Sequence, residues 1–332
     1  MNIVKNKRVK EKKLAGFSMV ELMVAMALGL FLVAGILSVF VDVRSTTEET
    51  SGYGELQENG RFALSLISDD LLRQDFWGDY TGTFDLASLN GIAPAAPGND
   101  CVGEGINNAT FPLANGNFRT LWSTTAVAGN PLGCFANSAP AFVGSDILQL
   151  KRVVSDPLAP GALNANNYYL ITNLSDGEIF AGNAAIPDID NSRIWEYQHH
   201  VYYVTEQNQG TYDVPVLMQG RLTNTMSFAP VVDGIEYIRF MFGVDTDDDG
   251  VVNSYLSATN MTQGYWNNAS GTNIISVKIY VLARSIVPDN KYTNNNTYSL
   301  GDLDIAVNDN FRRMLFTSTV TLFNARVDSW PR

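Results

Sequence analysis

Apolar and polar positions alternate in three different rhythms along this chain. Residues 17–41 are almost wholly apolar and hold one charge, Glu21. At 1.5 Å per residue this run makes a helix about 37 Å long, enough to cross a hydrocarbon core of about 30 Å. A carboxylate at membrane depth costs about 2.5–3.5 kcal/mol, so Glu21 requires a compensating partner. Lys5, Lys7, Arg8, Lys10, Lys12 and Lys13 precede the run, and such a basic block places the N-terminus in the cytoplasm. A secretory signal peptide would have a shorter apolar stretch and an A-x-A-like site after it. A plain signal anchor would leave Gly16 and Glu21 without a role.

From residue 42 to 74 the rhythm becomes helical. There is no proline, and Leu56, Ala63, Ile67 and Leu71 recur on one face. Gly52, Gly54 and Gly60 are poor helix formers, and a bend or local melting is expected near them. Residues 76–142 are rich in Gly, Pro, Asn and Ala and read as long loops with short strands. Beyond them the period falls to two. Strands are expected at 147–154, 168–174, 193–206, 212–222, 235–244, 274–284 and 313–324. Ile238, Phe240, Phe242 and Val244 alternate, as do Ile275, Val277, Ile279 and Val281, which predicts half-buried antiparallel strands. A helix first and a sheet later gives an α+β fold.

The segment Gly16-Phe17-Ser18-Met19-Val20-Glu21-Leu22-Met23 resembles the processing site of type IV prepilins. Leu56-Gln57-Glu58-Asn59-Gly60-Arg61-Phe62-Ala63, residues 243–250 and residues 316–324 resemble the PilW family of minor pilins. The resemblance implies a pilin-like fold with a leader (1–16), a transmembrane and assembly helix (17–75) and a β-rich head (76–332). It implies cleavage by prepilin peptidase between Gly16 and Phe17, and N-methylation of Phe17. It also gives Glu21 a partner, the freed Phe17 amine of a neighbouring subunit. A buried ion pair is best attested as a device for setting register. The implied partners are other major and minor pilins and the inner membrane, with later passage to the periplasm, the pilus and the cell surface. Minor subunits of this kind are expected in a tip complex that starts assembly. J-type minor pseudopilins of type II secretion share the plan and are the nearest alternative. A membrane-anchored adhesive protein is the alternative from another class.

Charge supports an exported head. The whole chain has 22 Lys and Arg against 34 Asp and Glu. Cleavage after Gly16 removes six basic residues and one acid, so the mature chain keeps 16 and 33, a net charge near −17. That excludes a broad phosphate-binding face, and no nucleic-acid partner is expected. The two cysteines, Cys101 and Cys134, are expected to pair in an oxidising compartment, with two free buried thiols as the alternative.

Asp245-x-Asp247-x-Asp249-Gly250 is the best candidate for metal chemistry. Alternate aspartates and a turn glycine resemble the first half of an EF-hand loop, with the Val251 carbonyl and Asn253 at the next ligand positions. Leu256 stands where the bidentate glutamate would be. A calcium site and a solvated turn both fit these residues. Catalytic signals are lacking. His199 and His200 are adjacent in an expected strand and so point to opposite faces. The sequence holds no G-x-S-x-G, P-loop or H-E-x-x-H pattern, so no enzyme is expected. Tyr202-Tyr203 and Tyr265-Trp266 are expected in the core or at an interface.

Overall fold

The computed structural model describes residues 16–81, 94–104, 106–113, 117–268 and 271–324. The leader expected at 1–16 lies outside them except for Gly16. The chain divides into two units, Met1–Tyr53 and Gly54–Arg332.

One helix, α1, spans Met19–Leu72. Its helical assignment continues past Gly52, Gly54 and Gly60, so the local melting expected near them does not occur. Gly60 has a packing reason: a Cβ there would run into the Phe316 ring. The last turn tightens, with Arg73 N–H donating to the Asp70 carbonyl and Gln74 N–H to that of Leu71. Asp75 then takes a left-handed conformation, φ 60°, and ends the helix. In the first unit Phe17 and the large apolar side chains of α1 from Met19 to Val43 are exposed. In the second unit Leu56, Ala63, Ile67 and Leu71 are buried, as their spacing predicts.

The head is built on antiparallel strands. A seven-stranded sheet contains β1 (Leu121–Thr125), β2 (Asp146–Val153), β3 (Tyr168–Thr172), β4 (Gly177–Ala181), β5 (Arg193–Asn208), β6 (Asp213–Leu222) and β7 (Met226–Asp233). The long β5 organises it. Tyr197 pairs with Val153 and Tyr168, and His200 with Leu150 and Arg221. So β2 takes one edge of β5, while β3 and β6 share the other in succession. A four-stranded sheet contains β8 (Ile235–Asp245), β9 (Ser254–Ser257), β10 (Asn273–Arg284) and β13 (Arg313–Thr321), in the order β13-β10-β8-β9. A hairpin of β11 (Thr297–Leu300) and β12 (Leu303–Ala306) completes the described strands. The helix stripe, both larger sheets and the two cysteines contribute to one hydrophobic core.

Along β8, Ile238, Phe240, Phe242 and Val244 are all fully buried as expected, but Arg239 and Gly243 between them are buried too, so the strand is covered on both faces rather than half-buried. In β2 all eight residues are buried. The even-numbered Arg152 reaches Asp70 on α1, while the odd-numbered Gln149 and Lys151 reach carbonyls of Cys101, Asn108 and Arg119. The loop segment before β1 therefore covers the second face of the sheet, and polar residues there find partners inside.

Candidate functional site

The N-terminal segment is shaped by its helix start. Ser18 N–H donates to Glu21 Oε2 at 2.9 Å, and Glu21 N–H donates to Ser18 Oγ at 3.2 Å. This reciprocal pair is a capping box, which satisfies donors that the first helical turn leaves open. Its signal was legible in the spacing Ser18-x-x-Glu21. Gly16, Phe17 and Glu21 are all exposed. An exposed Gly16–Phe17 junction is open to a protease, and one carboxylate stands alone on the apolar surface of residues 17–41. By length and composition α1 can cross a membrane.

In the head, Asp70 is the centre of a buried network. Its carboxylate accepts Arg152 Nε at 2.8 Å and the Tyr202 hydroxyl at 2.9 Å, and meets His200 Nδ1 at 2.6 Å. Burial alone would push the carboxyl up, but His200 and Arg152 overcome it and hold Asp70 well below the usual carboxylate range. Arg239 similarly bridges Asp146 at 2.8 Å and Asp302 at 2.9 Å. These pairs hold layers together, and no residue pattern in the sequence marked them. Of the adjacent histidines, His200 meets Asp70 on the helix face, whereas His199 is enclosed on the loop face. Tyr202, Tyr203 and Trp266 are core residues, with Tyr265 packed against them.

Cys101 and Cys134 form a disulfide, with Cα atoms 4.9 Å apart and both side chains buried. The acidic loop joins β8 to β9. Asp245, Asp247 and Asp249 each offer an oxygen, all within 4.8 Å of one another. Asp245 is buried and accepts the N–H groups of Asp247, Asp248 and Gly250. Gly250 has φ 81°, the left-handed turn that a glycine permits. Asn253 Oδ1 accepts Thr246 N–H at 2.6 Å, so it already closes the loop, and Val251 is exposed.

A long N-terminal helix, apolar and exposed at its start, with an antiparallel β head defines a pilin-like subunit. A family model described as Prokaryotic N-terminal methylation motif matches residues 12–37, and one described as Type IV Pilus-assembly protein W matches residues 201–324. The two matches together support a PilW-type minor pilin that takes part in type IV pilus assembly. No curated protein and no solved structure matches it significantly. The methylation motif makes the chain a substrate of prepilin peptidase and a partner of other pilins, anchored in a membrane by its helix. Pilins as a class are structural proteins.

Proposed function

We propose that this minor pilin acts in a tip or initiation complex and carries out no enzymatic reaction. Before assembly its N-terminus faces the cytoplasm and α1 crosses the inner membrane once. Cleavage after Gly16 frees the Phe17 amine, which pairs with Glu21 of a neighbouring subunit as helices gather into the fibre. The observation that carries this reading is the exposed apolar surface of residues 17–41 with one carboxylate on it. Removing that carboxylate leaves the apolar run intact for insertion but removes the partner that sets register.

The test is Glu21→Ala in the full-length chain. The variant is cleaved and retained in the membrane, yet it is depleted from sheared pili at least tenfold. Normal incorporation would sink the proposal. Co-purification of other minor pilins supports a tip complex. Co-purification of secretion pseudopilins, or retention in the membrane without pilins, favours the alternatives.

The clustered carboxylate oxygens support a second reading, that the acidic loop binds calcium through Asp245, Asp247 and Asp249. Holding three carboxylates together costs repulsion that a divalent cation relieves. Calcium at millimolar concentration then raises the melting temperature of the wild type but not of Asp247→Asn/Asp249→Asn. An unchanged melting temperature identifies the loop as a solvated turn.

A further inference from the structure

We propose that Lys151 and Asn108 join in an intramolecular amide cross-link, which the head forms on itself between Lys151 Nζ and Asn108 Cγ. The Lys151 side chain is fully buried in the layer between β2 and the loop that covers it. Its Nζ lies 3.2 Å from Asn108 Oδ1, and is fixed there by the Asn108 carbonyl at 3.0 Å and the Arg119 carbonyl at 2.9 Å. The Phe118 ring lies 4.8 Å from Nζ. Asn108 is itself buried, and its Nδ2 has no hydrogen-bond partner among the described residues. A nucleophile is thus held against a carboxamide whose amino group gains nothing by staying.

The surroundings favour the neutral amine that the reaction needs. Burial lowers Lys151 to about 7, with Asp100 opposing the shift and Arg119 adding to it. His199, the cross-strand partner of Lys151, is also kept neutral, by burial first and by Lys151 second. The Thr110 hydroxyl donates to Asp100 Oδ1 at 2.6 Å, so it accepts from His199 Nδ1 at 2.9 Å. The His199 proton therefore sits on Nδ1, and no cation competes with the amine from that side.

In the reaction the Nζ lone pair forms a bond to Cγ. The Cγ–Nδ2 bond breaks, a proton passes from Nζ to Nδ2, and ammonia leaves. No oxidant and no second substrate is consumed. The product removes a buried ionisable amine and an unpartnered donor together. Like the disulfide, the cross-link would tie the covering loop to the head covalently, across a separation of 43 residues. It rests on the head alone and is independent of the assembly proposal.

Mass spectrometry of the purified full-length protein tests this. After allowance for leader removal, methylation and the disulfide, the folded wild type is lighter than its sequence by one ammonia. Trypsin fails to cut after Lys151, and a branched peptide contains residues 108 and 151. Lys151→Arg and Asn108→Ala each lose the branched peptide and regain the full mass. A folded wild type that releases separate, unmodified peptides overturns the proposal, whatever the variants do. So does ammonia loss without a branched peptide, the mark of a succinimide at Asn108.

Discussion

Leu30 and Leu71 lie on the same uninterrupted helix, yet Leu30 is 71% exposed and Leu71 is fully buried. The two units of the chain use that helix in opposite ways. In the first, apolar side chains point outward and a single carboxylate stands among them. In the second, apolar side chains point into a core shared with two sheets, and charged groups such as Asp70, Lys151 and Arg239 are enclosed with partners. One surface is built for lipid and other helices, the other for the head's own sheets. The hydrophobic effect drives both, but only the second is satisfied within one chain.

The largest break in that contrast comes from Asp70→Ala. It strands Arg152 in the interior and removes partners from His200 and Tyr202. Unfolding free energy falls by about 3–5 kcal/mol, the usual cost of leaving a buried charge unpaired. Chemical denaturation of the head measures it. The same residue has a pH signature. Because its folded pKa lies below the unfolded value, Asp70 contributes stability above about pH 4 and loses it as the pH falls through the folded value. Asp70→Asn flattens the acid limb of the stability curve. An unchanged acid limb shows that other carboxylates govern it.

A matched pair of leucines comes next. Leu71→Ala lowers head stability by about 2–5 kcal/mol, whereas Leu30→Ala changes it by less than about 0.5 kcal/mol. Equal losses at both sites would erase the distinction between the two surfaces. The smallest effect tests packing at the helix glycines. Helix propensity alone gives any Gly→Ala change a gain of about 1 kcal/mol. Gly54 has open space around it and should show that gain, while the Phe316 ring at Gly60 turns the sign to a net loss of about 1 kcal/mol. Thermal melts of Gly54→Ala and Gly60→Ala separate the two. A gain at Gly60 means the ring moves aside at little cost.

The sequence made the long-range periodicities plain. Leu56, Ala63, Ile67 and Leu71 announced the buried helix face, and seven strand-like runs overlap β2, β3, β5, β6, β8, β10 and β13. The strands that went unread are shorter or weaker in pattern. β1, β4, β9, β11 and β12 span four or five residues each, and β7 contains Pro230. Short segments carry too little periodicity to separate from loops. At the candidate sites, Glu21 and the cysteine pair were legible because a lone charge and an isolated pair stand out. Asp70, Lys151 and Asn108 were not, because nothing local distinguishes a polar residue that will be enclosed from one that will be solvated.

By itself the sequence determined the apolar N-terminal helix, the α+β order and the acidity of the chain beyond residue 16. These follow from composition and period, which are properties of neighbouring residues along the chain. Only the tertiary structure decided that a loop layer covers the second face of β2, that Asp70 gathers Arg152, His200 and Tyr202, and that Lys151 meets Asn108. Those contacts join residues from 43 to 132 positions apart. Burial of a polar group is decided by what folds over it, and that is a property of the packed layers.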